Sequence, residues 1–119
     1  MRKAIETAQA PAPIGTYSQA VRFGDVLYIS GQIPLHPNTM VLVDDTMDAA
    51  VTQVFENLSA ICKAAAGCLD NVLKLTVYLL DLSDITYVNQ RMETYFSAPY
   101  PARVAFEVSA LPRGARIEV

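Results

Sequence analysis

Charge is scarce in this chain. Only 18% of its 119 residues are charged, while 52% are hydrophobic. That balance excludes a disordered chain, which stays open because it has too little apolar surface to bury. A basic excess is also missing: nine Lys and Arg face twelve Asp and Glu, for a net charge of −3 and a pI near 4.9. A dedicated nucleic-acid binder carries the opposite balance, concentrated on one face. Here the basic residues are scattered along the chain, with no aromatic platform on which bases could stack. There is one histidine, His36, and the two cysteines, Cys62 and Cys68, do not form a CxxC. Thiolate–imidazole metal spacing is therefore absent. Free thiols in a reducing cytoplasm are the simplest reading. Five Gly and seven Pro exclude collagen-like or linker-dominated architecture. No apolar run reaches the ~18 residues of a membrane span. Met1 to Glu6 starts basic but leads into no apolar stretch, so no secretory signal is expected.

What is present suits one folded domain over residues 1–119. Size scaling gives a chain of this mass roughly 6,300 Å² of accessible surface. A small protein has much surface per residue, yet this one has little charge and a mean hydropathy of +0.25. The missing charge implies apolar surface buried between subunits of an oligomer.

Pro11 and Pro13 keep the head of the chain extended. Tyr17 to Phe23 and Val26 to Ser30 flank Gly24-Asp25 and predict a β-hairpin. Met40 to Val43 predicts a short strand. Between Thr46 and Ala66, apolar residues recur at Met47, Ala50, Val51, Val54, Leu58, Ile61, Cys62 and Ala65, a helical stripe. Asn57 falls among the polar residues of the other side. Asp45 or Thr46 is the expected cap, and Gly67 the expected left-handed stop. Leu69 to Leu80 alternates as a strand, with Leu73, Leu75, Val77 and Leu79 on one face. Ser83 to Phe96 predicts a second helix capped by Ser83 and ended by Pro99 and Pro101. Arg103 to Val108 and Ala115 to Val119 predict two further strands. The order implies an α+β two-layer sandwich, with both helices on one face of a mixed sheet and the other face bare.

Alternation then suggests a site. Taking Val104, Phe106 and Val108 as core leaves Arg103, Ala105 and Glu107 on the opposite face. Taking Ala115, Ile117 and Val119 as core leaves Arg116 and Glu118 there too. Arg103 and Glu118 are thus expected together on the bare face, as either an interface ion pair or a binding site.

The segments Gly15-Thr16-Tyr17-Ser18-Gln19-Ala20, Ser30-Gly31-Gln32-Ile33-Pro34, Pro101-Ala102-Arg103 and Ile117-Glu118 closely resemble signatures of the RidA (YjgF-type) enamine/imine deaminases. Val88-Asn89 is similar to that family's second-helix motif. The resemblance covers essentially the whole chain. It implies a chorismate-mutase-like fold, with three sheets packed into a barrel and sites in clefts between subunits of a homotrimer. It also implies hydrolysis of 2-imino acids, made by pyridoxal-phosphate dehydratases, to 2-keto acids and ammonia without a metal or cofactor. By the same resemblance, Arg103 binds the substrate carboxylate, as a guanidinium fork does. Glu118 positions the attacking water and Tyr17 lines the pocket. Gly31 lets backbone approach the ligand, with Ser30 and Asn89 beside it. Ala105 takes the place of a cysteine common in the family and is expected to act through its carbonyl. Ser97 to Tyr100 looks shorter than usual. The chain stops at Val119, and the expectation is a loosely held Glu118. The alternative function on the same residues is a non-catalytic module that binds small carboxylates or keto acids. RNA cleavage, also associated with the family, fits the acidic pI poorly.

Overall fold

The computed structural model describes residues 1–119. Its strands are β1 (Lys3–Ile5), β2 (Ala20–Phe23), β3 (Val26–Ile29), β4 (Lys74–Leu79), β5 (Ala102–Glu107) and β6 (Ile117–Glu118). Its helices are α1 (Met47–Ala64) and α2 (Ile85–Tyr95). β1, β2 and β3 form one antiparallel sheet. In the second sheet β4 is central, parallel to β5 and antiparallel to β6. The expected single sheet is therefore two. One pair of residues joins them: Gln32 N–H donates to the Val119 carbonyl at 2.8 Å, and Val119 N–H to the Gln32 carbonyl at 3.1 Å.

The hairpin forms at Gly24, whose φ of +60° is open to a residue without Cβ. Its first strand is shorter than expected and leaves Tyr17 outside the sheet. Met40 to Val43 gives only an isolated bridge between Leu35 and Leu42. Leu69–Asn71 is a 3-10 turn rather than strand, and Leu73 is exposed. Asp81, not Ser83, makes the cap before the second helix, accepting from Ser83 N–H.

α1 begins as its sequence demands: Thr46 accepts from Ala49 N–H at 3.0 Å, and Asp48 in the first turn suits the helix dipole. Its end differs. Ala66, at φ +64°, takes the left-handed position. Gly67 N–H reaches back to the Cys62 carbonyl at 2.8 Å and Ala66 N–H to Lys63 at 3.0 Å, which closes a Schellman turn. Gly67 instead sits in a tight spot, since a Cβ there would lie 3.2 Å from Asn71 Oδ1.

Both helices cover the same face. Val51, Val54, Phe55 and Leu58 of α1, with Val88 and Met92 of α2, pack on Leu75, Val77, Leu79 and Ile117. Phe55 meets Tyr95 and Phe96 with ring centroids 5.5 and 5.7 Å apart. Farther along α1, Ile61 and Ala65 pack on Ile5 and Ala20. α1 thus spans both sheets, and its burial holds them side by side. Cys62 lies in this core and Cys68 is exposed, both free.

The other face is bare. It carries Phe23, Val26, Tyr28 and Phe106, all exposed, and a Tyr78–Phe106 stack with centroids 6.2 Å apart. The accessible surface is 6968 Å², above the roughly 6,300 Å² that size alone predicts.

Candidate functional site

The expected parity of β5 is overturned. Its register pairs Arg103 with Leu75, Ala105 with Val77 and Glu107 with Leu79, and those partners are core residues under the helices. Arg103, Ala105 and Glu107 therefore face the helices, while Val104 and Phe106 face outward. Specific partners make this possible. Arg103 Nη1 donates to Asn89 Oδ1 on α2 at 2.6 Å and lies 3.4 Å from Met92 Sδ. Glu107 Oε1 accepts from Leu82 N–H at 2.9 Å. Ala105 is half-buried against the core.

Glu118 is on the opposite face. It pairs with Tyr78, whereas its neighbour Ile117 pairs with the core residue Leu79. β5 and β6 flank β4 on opposite sides, and the β4 partners Leu75 and Tyr78 are three residues apart. The two backbones are thus separated by roughly 10 Å across the sheet and roughly 10 Å along it. Arg103 and Glu118 of one chain do not share a face, an edge or an ion pair. The only side-chain ion pair is Arg91–Asp48, 2.9 Å, between the helices. Arg116, two residues before Glu118 on the chain, turns to the Asp44 carbonyl at 2.9 Å.

Four of the seven expected site residues do converge. Tyr17, Ser30, Gly31 and Glu118 line one cleft of about 470 Å³, together with apolar Pro11, Ile14, Ile33 and Pro112. Arg103, Asn89 and Ala105 lie outside it. Glu118 is the only charged residue of the lining. Its carboxylate makes no ion pair, and burial pushes its carboxyl pKa up. It rests on Gly31, where a Cβ would come 2.9 Å from Glu118 Cδ and 3.1 Å from Cγ. Gly31 is therefore a glycine because the carboxylate occupies the space of a side chain. Nor is Glu118 loosely held, since the next residue, Val119, makes both bonds of the Gln32 pair.

Tyr17 is half-exposed, and its hydroxyl accepts from Ile14 N–H at 3.1 Å. That bond leaves the phenolic proton free to donate. Ser30 Oγ donates to the Ser18 carbonyl at 2.6 Å, tying the two sides of the cleft floor. His36 is half-buried and its Nδ1 accepts from Asn38 N–H at 3.1 Å. No three His, Cys, Asp or Glu side chains form a group that could hold a metal ion, and no helix is long and apolar enough to cross a membrane.

Three buried amides escaped the sequence reading: Gln19, Gln32 and Asn57. Asn57 looked like a residue of the solvated helix side. It is buried and donates to the Leu35 carbonyl at 2.9 Å, which fixes the segment after Gly31. Polarity alone hides such residues, because a fully bonded amide is as compatible with a core as a leucine.

The chain was compared with known proteins. The Endoribonuclease L-PSP family profile matches residues 7–119. A mouse (Mus musculus) protein named 2-iminobutanoate/2-iminopropanoate deaminase is 46% identical over all 119 residues, which cover 88% of its length. A RutC family protein of Pyrococcus horikoshii is 45% identical over the whole chain and 94% of its own. The crystal structure of RidA from an Antarctic Psychrobacter superposes with a TM-score of 0.94 at 49% identity, covering 98% of this chain and 94% of that one. Profile, relatives and fold agree, and the chain belongs to the Endoribonuclease L-PSP family, that of the YjgF and RidA proteins.

Proposed function

We propose that this protein hydrolyses 2-imino acids to 2-keto acids and ammonia, in a cleft that two copies of the chain build together. The observation that carries the reading is the Glu118 carboxylate: half-buried, unpaired and seated on Gly31 in an otherwise uncharged cleft. Relatives at 44–46% identity named as imine deaminases support the reaction class.

Arg103 has no acidic partner and lies on the wrong face to meet Glu118 of its own chain. A neighbouring copy is therefore needed to bring a guanidinium to the cleft. The bare apolar face supplies the means of association, in the trimeric, chorismate-mutase-like barrel that the RidA resemblance implies. Arg103 of one copy grips the substrate carboxylate. Glu118 of the next holds a water against the imine carbon and takes its proton as the C–O bond forms. Returned to nitrogen, that proton gives the carbinolamine; the hydroxyl proton then passes through the same carboxylate to nitrogen as the carbonyl forms, so the C–N bond breaks and NH3 leaves with both water protons. A carboxyl whose pKa is raised by burial suits that relay, because it holds a transferred proton more readily than an ordinary carboxylate. Tyr17 and Ser30 orient the water and substrate. The backbone at Ala105 and the Asn89 amide set the Arg103 side. Imines hydrolyse readily, so positioning and charge stabilisation suffice. Cytoplasmic dehydratases are the expected source of substrate.

Ribonuclease activity fits the site poorly. The cleft lining contains no Lys or Arg, and a phosphate backbone would meet the Glu118 anion.

The test couples a threonine dehydratase to this protein and follows keto-acid release while semicarbazide traps free imine. The protein should raise keto acid at the expense of the trapped adduct. Arg103→Ala should remove the effect, a loss of at least about 100-fold for a bidentate charged contact, with the oligomer unchanged. Full activity in that variant would falsify the assignment. Keto-acid binding without any change in the partition would favour a binding module instead.

A further inference from the structure

Residues 6 to 18 form a strap across the mouth of the cleft. Pro11, Ala12 and Ile14 form part of the cleft wall. A second hollow of about 390 Å³ adjoins the cleft, sharing Ala12, Tyr17 and Gln19 with it and lined further by Thr7, Ala8 and Pro13. The strap therefore borders open space along much of its length. It also lacks the support that a sheet or helix gives. None of the backbone–backbone hydrogen bonds outside helices and strands involves residues 6 to 18.

Side chains take over that work: Tyr17 holds Ile14, Ser30 holds Ser18, and Gln19 makes the largest set of bonds. Gln19 Nε2 donates to the carbonyls of Thr7 at 3.0 Å, Ala10 at 3.2 Å and Pro11 at 2.9 Å. Its Oε1 accepts from Thr7 N–H at 2.8 Å. Gln19 is 3% exposed, and both ends of its amide are engaged. It borders the cleft yet has no donor left to offer a ligand.

We infer that Gln19 is a positioning residue for substrate affinity. It seats the 7–12 strap that walls the cleft, and so sets how many molecules are competent to bind. This rests on the proposed use of the cleft, but its readout is binding and not turnover. Two variants remove the clamp. Gln19→Met keeps the volume and loses every bond. Gln19→Glu keeps the acceptor for Thr7 N–H and turns an oxygen toward three carbonyl oxygens.

Each variant should raise the Kd for 2-ketobutanoate, measured by calorimetry, by about tenfold if roughly one molecule in ten keeps the strap seated. Amide exchange should quicken at Thr7 and stay slow in α1. In the deaminase assay KM should rise with it, and kcat should change less than about twofold. An unchanged Kd with Thr7 exchanging freely would overturn the inference. A lower kcat at unchanged KM would overturn it too, by placing Gln19 in the chemistry. Should neither variant fold, the wild type decides: its Thr7 amide must be protected and must gain protection with 2-ketobutanoate, and exchange at the open-chain rate refutes the clamp. A wild type that binds the keto acid without hydrolysing imine defeats the deaminase reading and leaves this inference to the Kd values. A wild type that does not bind it overturns both.

Discussion

Gly31→Ala should separate activity from stability. The new Cβ would come 2.9 Å from Glu118 Cδ and 3.2 Å from Oε1, where carbon atoms pack best at about 3.5–4.0 Å. The carboxylate must therefore recede by about 0.6–1 Å. It is the free end of a side chain, so an off-rotamer torsion of about 0.5–1.5 kcal/mol accommodates it. Gly31 is not in the left-handed region, so the backbone adds no strain. Ala also restricts the unfolded chain, which contributes about 0.4–1 kcal/mol in the opposite direction. The two effects nearly cancel, and Tm should move by less than about 4 °C. Catalysis is far less forgiving, since an error of about 1 Å in a positioned group costs about 100-fold. The semicarbazide partition assay and a thermal melt on the same preparation measure both. Activity within about threefold of wild type would show that the carboxylate position is not used. A large fall in Tm would show that Gly31 is a structural glycine after all.

Glu118→Gln should abolish deaminase activity and raise stability at neutral pH. Burial holds the native carboxyl pKa above the ordinary 4.5, so the native state binds the proton more tightly than the unfolded chain. The stability linked to that proton is fully present below the unfolded pKa and is lost as pH rises through the native one. Melting curves from pH 4 to 8 should show the Gln variant's advantage appear on going up and vanish on going down, and an advantage larger at pH 4 would reverse the argument. Wild-type activity should fall with pH through that same raised pKa. Ala66→Gly should stabilise by about 0.5 kcal/mol, the left-handed penalty of about 1–2 kcal/mol outweighing the entropy of a new glycine of about 0.5–1 kcal/mol. A lower Tm in that variant would refute the strain at φ +64°.

The hairpin, both helices and the two-layer arrangement were legible because each depends on local periodicity. The face of β5 was not. Val104 and Phe106 are more apolar than Arg103 and Glu107, and an ordinary sheet would turn them inward. Here both faces take apolar residues: the helices cover one, and the other carries Tyr28 and Phe106 in the open, with Tyr78 half-buried against Phe106. Polarity then no longer reports which side is the core. Helix-side partners decide instead, Asn89 for Arg103 and the Leu82 N–H for Glu107, and such pairings are invisible until the strands are in register. The Glu118–Gly31 cleft was found through motif resemblance, while the reason for its glycine needed the carboxylate in place. Gln19 stood inside a recognised motif, but its four bonds reach back 8 to 12 residues, beyond any local pattern.

The junction between the two sheets has a mechanical consequence. Every other neighbouring pair of strands is stitched along two to six residues, but this one is closed by the Gln32–Val119 pair alone. Any breathing motion that splays the halves concentrates at that stitch, and its immediate chain neighbours are Gly31 and Glu118. The Glu118 carboxylate thus sits at the narrowest join between the two sheets. α1 crosses that join underneath like a leaf spring, with its packing on both halves setting the stiffness. Residues deep in α1 thus bear on the join between the halves without lining the cleft.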